Sequence, residues 1–582
     1  MPSAYELERQ KNIDRNKALL EQLQLRQAVQ DLVPAKPKAP KAPAKSQAKP
    51  VQSTKAKRPR EETSEGPRRQ SARLRQVIDP DESPSKRQKR EAELEERRAV
   101  EAEERMQAEE RARIARTARH SDLDLATLAE QEEQADIATL SATLEKISRN
   151  NRRQSRDEDA YQSEDETEED NYVTELREKL EDLKVVSRAK VTQDRIYSAA
   201  YHPEITKDLI FFGDKHGQLG IWDAQAPTEE VADEDGDVAP AEDQEGGKYW
   251  RLQLHWPATS KSSISCVKID PMKSDNIYTS SYDCTIRSLS FTTGVSTEVF
   301  SIEDTLISSI DLTPTGQEMW ISDALGGVWH RDLRQDSSSA IRYGLADTKV
   351  GCISVNPTRP TFLLTASNNR SLKIWDVRKL QTLSIDLSDD ALPTPPPSSS
   401  SSPFLAPVAA VAREVDSDVV TEFVSSKRGK GCLRSEWRHD KSVSSAYWDP
   451  RGRSVVSTSY DDSLRLWNID AAKFASSAPF PSSRPFKQIK HNCQTGKWLT
   501  ILRAQWSPNP DAYPHFTIGN MQHSLDIFSG KGELIARLSD RSKISAVQAV
   551  TCSHPSVTER AVSGNASGRC VLWAPSEEEE ED

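Results

Sequence analysis

One short run that returns seven times after about residue 191 constrains this chain more than any other feature. Each copy has a polar turn residue, small or polar residues behind it, an apolar-x-apolar step, and a large apolar side chain, mostly aromatic, six positions beyond the turn. The copies are His216-Gly-Gln-Leu-Gly-Ile-Trp222, Asp283-Cys-Thr-Ile-Arg-Ser-Leu289, Asp323-Ala-Leu-Gly-Gly-Val-Trp329, Asn369-Arg-Ser-Leu-Lys-Ile-Trp375, Asp461-Asp-Ser-Leu-Arg-Leu-Trp467, Gln522-His-Ser-Leu-Asp-Ile-Phe528 and Ser567-Gly-Arg-Cys-Val-Leu-Trp573. A turn residue able to adopt positive φ, or to bond its own backbone, closes a hairpin, and strand alternation aims the last side chain between neighbouring units. Six units carry a second strand signal upstream that ends in a polar turn, as in Ser265-Cys-Val-Lys-Ile-Asp-Pro271 and Ser445-Ala-Tyr-Trp-Asp-Pro450. A unit of about four strands closes no core alone, whereas seven arranged radially do. The expected fold is all-β, a seven-bladed β-propeller over residues 191–575. A β-sandwich leaves the return of the same residue types at the same offsets unexplained.

The spacing between copies is uneven, and insertions map to loops at 224–248, 380–431 and 471–503. Nine acids fall between 229 and 245, and a proline and serine run spans 393–403, so the first two loops are expected to be disordered. The third is rich in Lys and Arg and contains aromatics, which makes it the best candidate for function. Residues 576–582 form an acidic tail.

Composition separates the two ends of the chain. All twelve tryptophans lie at or after Trp222 and all seven cysteines at or after Cys266, so residues 1–190 are short of core-building side chains. This region is expected to be charged and mostly disordered, with short helices. Leu19, Leu20, Leu23 and Leu25 suit an amphipathic helix able to dock on a partner. Residues 34–60 hold nine Lys or Arg, six prolines and no acid, the composition of a solvated basic arm. Further clusters stand at Arg68, Arg69, Arg73, Arg75 and at 86–90. Any one such cluster is equally an import signal or incidental linker charge, but three together favour the nucleus. Ser83-Pro84 beside the last cluster fits a proline-directed phosphorylation site, where added negative charge weakens the basic field. Residues 91–120 read as an exposed spacer helix with pairs such as Glu93 and Arg97, and the nine acids of 157–170 as a self-repelling segment.

The net charge of -12 sits in a few acidic blocks and so does not exclude nucleic acid. No run approaches the ~18 apolar residues of a membrane span, and no basic-then-apolar leader opens the sequence, so a soluble intracellular protein is expected. An odd cysteine count without Cys-x-x-Cys suggests buried thiols rather than disulfides or a zinc ribbon. No phosphate loop, zinc-protease helix or nucleophile elbow occurs, and the pairs His491 with Cys493 and Cys552 with His554 lack further ligands. A binding protein without catalytic residues or cofactor is expected.

The seven runs, with Trp222-Asp223 and Trp375-Asp376, resemble WD40 repeats. Longer stretches resemble the WD-repeat DNA damage-binding family, whose relatives include the small subunit of the damaged-DNA-binding complex and WD repeat protein 76. They include Tyr5-Glu-Leu-Glu-Arg-Gln-Lys-Asn-Ile-Asp-Arg-Asn, Arg68-Arg-Gln-Ser-Ala-Arg-Leu-Arg75, Lys190-Val-Thr-Gln-Asp-Arg-Ile-Tyr197, His491-Asn-Cys-Gln-Thr-Gly-Lys-Trp-Leu-Thr500 and Gly519-Asn-Met-Gln-His-Ser-Leu-Asp-Ile-Phe528. The resemblance implies a nuclear protein that binds double-stranded DNA, preferentially ultraviolet-damaged, in DNA metabolism or the damage response. Histones or other chromatin proteins are further implied partners. The candidate DNA contacts are Lys487, Lys490, His491, Lys497 and Arg503 around Trp498, where the damaged-DNA-binding subunit has a lesion-inserting hairpin with a different tip sequence. Trp498 is either a wedge or one more tryptophan packed between blades. Trp375, Asp376 and Arg378 fit a Trp-Asp-x-Arg box that resembles the receptor motif for a cullin ubiquitin-ligase adaptor. The competing class is a protein-interaction scaffold without direct lesion recognition.

Overall fold

The computed structural model describes residues 119–129, 137–147, 160–161, 166–227, 245–390, 413–480 and 484–576. The helix expected in 2–29, the basic arm and clusters up to residue 90, most of 91–120, the cores of the first two loops and the tail beyond 576 lie outside them.

Seven sheets form the blades of a propeller, antiparallel except where Arg413–Val415, a strand inside the 380–431 loop expected to be disordered, pairs parallel with Ile341–Gly344 of the third blade; the order in each runs out from an innermost strand. The first strands are Ile196–Tyr201, Ile264–Ile269, Ile307–Leu312, Val350–Val355, Val443–Trp448, Gln505–Trp506 and Gln548–Ser553. The seventh of these had no counterpart among the six upstream signals. Each recurring run supplies a third strand, and a residue of positive φ precedes that strand in every blade, immediately before it at Gly217, Cys284, Gly326, Arg370, Asp462 and Gly568 and one residue earlier at His523. This left-handed residue turns the chain so that the third strand pairs back on the second. Five positions beyond it stand Trp222, Leu289, Trp375, Trp467, Phe528 and Trp573, all buried.

The third blade departs from the expected alignment. Five positions beyond Gly326 is Arg331, whereas Trp329 stands two residues earlier and packs edge-on against Phe300 of the second blade, 5.6 Å between ring centroids. Because side chains alternate with a period of two, a two-residue shift keeps the same face, so the sequence pattern is blind to it. The Arg331 guanidinium instead donates to the carbonyl of Asp336 at 2.7 Å.

The ring is closed by a strand from outside it. Lys184–Lys190 pairs antiparallel with Arg569–Ala574 and forms the outermost strand of the seventh blade. The boundary expected at residue 190 therefore falls at the end of a blade strand. The helix Glu166–Glu181 before it buries Val173, Leu176 and Leu180 against the sixth and seventh blades, together with Leu183, Val185, Leu538 and Trp573. Part of the acidic stretch 157–170 is thus helical, since Glu166 to Asp170 open this helix, and Lys531 bridges Glu169 and Asp170 at 3.1 and 3.3 Å. Farther upstream, Leu123–Asp124 adds a fifth strand to the second blade, and Leu125, Leu128, Leu140, Leu144 and Ile147 join its core. Arg287, fully buried, anchors this segment by donating to the carbonyls of Arg119 and Ser121 at 2.9 and 2.7 Å. These stretches of residues 1–190 are ordered because a few leucines at helical spacing find a blade edge to cover.

Relative to a chain starting at residue 160, one starting at residue 191 would lose the closing strand and, besides Ala189, the buried side chains of Val173, Leu176, Leu180, Leu183 and Val185, each worth about 1.5–3 kcal/mol. Calorimetry should show its melting temperature at least about 10 °C below that of a chain starting at residue 160.

Candidate nucleic-acid interface

The antiparallel order gives the propeller two faces. The upper face carries the connections between blades and the turns between second and third strands, and the lower face carries the others. The segment 491–503 connects the fifth blade to the sixth on the upper face. It leaves the fifth blade tied to its turn: His491 donates its N–H to the Asp462 carbonyl at 3.0 Å, Cys493 its N–H to the Asp462 carboxylate at 2.9 Å, and Gln494 its amide to the Tyr460 carbonyl at 2.6 Å. Its far part reaches the first blade, where the Thr500 hydroxyl donates to the Ile196 carbonyl and Arg195 donates to the Lys497 carbonyl at 3.2 Å. Ile196 opens the innermost strand of its blade, so the segment crosses the mouth of the central channel. Gly496, with φ +60, makes the bend.

At the top of this crossing stands Trp498, 83% exposed, while the other eleven tryptophans are buried or half-buried. The reading in which it packs between blades is not what the geometry shows. Lys497 beside it is exposed, as are Lys261, Arg370, Lys441, Arg541 and Lys543 on the same face. Not all the expected contacts gather there. Lys487–Lys490 is the outermost strand of the fifth blade rather than loop, with Lys490 at the upper edge and Lys487 toward the lower, where its stem packs on Gly532. His491 is buried, and burial holds its pKa below the usual histidine value, so it brings no positive charge to a phosphate at neutral pH. It occupies the inter-blade position at which His255 and His439 bond the turn aspartates Asp283 and Asp461 at 3.0 and 2.9 Å. Arg503 is half-buried and interacts with Tyr447 and Cys352 of the innermost strands and with Tyr282 in a turn of the second blade.

On the lower face Trp375 is buried and donates its indole N–H to Thr365 at 3.1 Å. Asp376 is buried too, and Arg378, 61% exposed, grips its carboxylate at 2.9 and 2.6 Å. Only the arginine of that set is open to a partner. All seven cysteines are free and buried, and among the described residues no group of three or more His, Cys, Asp or Glu is placed to hold a metal. No described helix is long and apolar enough to cross a membrane.

Comparison with known proteins agrees with this architecture. The WD domain, G-beta repeat family matches residues 344–376 and 430–468, which cover the third strands of the fourth and fifth blades. A protein of Cryptococcus neoformans named DNA damage-binding protein CMR1 is 42% identical over 69% of this chain and 71% of its own. Its namesake from Mycosarcoma maydis is 31% identical over 98% of this chain and 99% of its own, and that of Neurospora crassa 33% over 69% and 70%. The chain belongs to the DNA damage-binding protein CMR1 family. The propeller is thus a WD-repeat fold.

Acid should destabilise the propeller through its histidines. Burial lowers the pKa of His202 to about 4 and moves His439, His491, His515 and His554 the same way. The unfolded chain then binds protons that the folded chain refuses, so stability is complete above about pH 6.5 and falls as pH drops toward 4. Asp214, raised to about 6 by burial, works in the opposite sense as pH falls through that value. Five groups against one predict a melting temperature that declines steadily from pH 6.5 to 4.5.

Proposed function

We propose that this protein binds double-stranded DNA through the upper face of the propeller, prefers ultraviolet-damaged duplex, and acts in the nucleus in the DNA damage response. The single observation that carries the reading is Trp498, held out from a segment pinned at both ends over the channel mouth. An indole in that position can stack in the gap left by an unpaired base, and damage lowers the few kcal/mol needed to open the duplex. Lys497 and Lys490 stand near enough in sequence to meet the flanking phosphates, and the basic runs at 34–60 and 86–90 provide a nonspecific tether. The names of the relatives support the same reading.

The open guanidinium of Arg378 supports a second role on the lower face, as a fork of donors to a cullin-ligase adaptor. The two roles use opposite faces and are compatible.

Mobility shifts with irradiated and intact duplex test the first role. Trp498→Ala should erase the damage preference while stability changes by no more than about 0.5 kcal/mol, because the side chain is already in water. Lys497→Ala and Lys490→Ala should weaken both duplexes alike and each lower the slope of log affinity against log salt by about 1. Equal damage preference in wild type and Trp498→Ala would remove the wedge. For the second role, Arg378→Ala should abolish co-purification of the adaptor with DNA affinity unchanged, and absence of any adaptor from the wild-type pull-down would discard it.

A further inference from the structure

The upper face is not uniform, and the third blade differs from the sector around Trp498. Leu325, in the turn before Gly326, is 67% exposed, and Leu306, in the connection entering the blade, is 42% exposed. They are neighbours, since Ala324 donates its N–H to the Leu306 carbonyl at 3.0 Å. The connection leaving the blade folds against the same turn, with Leu345 and Ala346 donating to the Gly326 carbonyl at 3.1 and 3.0 Å, which sets Asp347 beside it. Asp347, Glu303 and Asp304 are all exposed. Two nearby cations are already engaged: Lys349 lies on the Tyr282 ring and donates to its hydroxyl at 3.2 Å, and Arg342 is held by Asp323 at 2.9 Å and by Glu414.

Carboxylates here repel a phosphate backbone, so this sector disfavours DNA. An apolar pair rimmed by three acids complements a cationic peptide that carries one apolar side chain. We propose that the upper face of the third blade docks a basic peptide segment of another protein. Its apolar side chain seats on Leu306 and Leu325, and its Lys or Arg residues pair with Glu303, Asp304 and Asp347. The proposal does not depend on the DNA-binding reading, because it uses neither the 491–503 segment nor its cations.

The test titrates the full-length protein with a fluorescein-labelled peptide of Lys and Arg around a central Leu, beside the same peptide with Ser in place of Leu. Saturable binding of the leucine peptide is expected, weakened about tenfold by Leu325→Ser and by Asp304→Asn with Asp347→Asn, and unaffected by Glu178→Gln on the distant helix. Melting temperatures and duplex affinity should be unchanged, since these side chains are exposed and lie outside the Trp498 sector. Equal binding of both peptides, or variants that bind like wild type, would overturn the proposal. So would absence of saturable binding, and zero-length cross-links from Asp347 to the chain's own lysines would then assign the patch to the basic arm.

Discussion

Everything in this molecule depends on closing a ring of sheets whose last member is incomplete. Strands Gln548–Ser553, Ala561–Asn565 and Arg569–Ala574 would end in an open edge, with a row of unpaired N–H and C=O groups beside the buried Trp573. Such edges invite pairing with other chains. Lys184–Lys190 fills that edge, so residues nearly four hundred positions apart in the sequence share one sheet. The closure also fixes the first blade beside the seventh, and the crossing segment at the channel mouth needs that placement, because its anchors Arg195 and Ile196 follow the closing strand by only a few residues.

The propeller was legible because its repeat is written in side chains that the geometry demands: a residue tolerating positive φ, then alternating apolar positions ending in a large buried one. Where the demand is weaker, so was the signal. Trp329 satisfied the pattern two residues out of register, since a strand face does not distinguish positions of equal parity. The ordered parts of the N-terminal region were concealed for a different reason. Val173, Leu176, Leu180 and Leu183 recur at spacings of three and four, a helix signal, but they lie among Glu and Asp residues whose density suggests disorder. A helix against a blade edge needs only one apolar stripe, and charge on its other face is no argument against it.

The candidate site was legible as a segment and less so residue by residue. Lys, Arg and an aromatic in one insertion mark it, but which of them face solvent depends on contacts distant in sequence. His491 and Arg503 are engaged within the propeller, since one fills an inter-blade position and the other interacts with Tyr447 and Cys352 of the innermost strands. Trp498 turns outward because Thr500 and Lys497 are pinned to the first blade on either side of it. The hydrogen bonds to Ile196 and from Arg195 leave no trace in local composition.

That pinning bears on how recognition would work. A tryptophan on a free loop must be ordered when it binds, at about 0.5–1.5 kcal/mol for the side chain and more for the backbone. Here folding has already ordered the backbone, so only the side-chain share of that cost is left to pay on binding. The difference between intact and damaged duplex is then left to the DNA, in the energy needed to open a base step. Discrimination by a rigid protuberance scales with that energy and not with any hydrogen bond to a particular base. A site built this way suits lesions of varied chemistry that share weakened stacking.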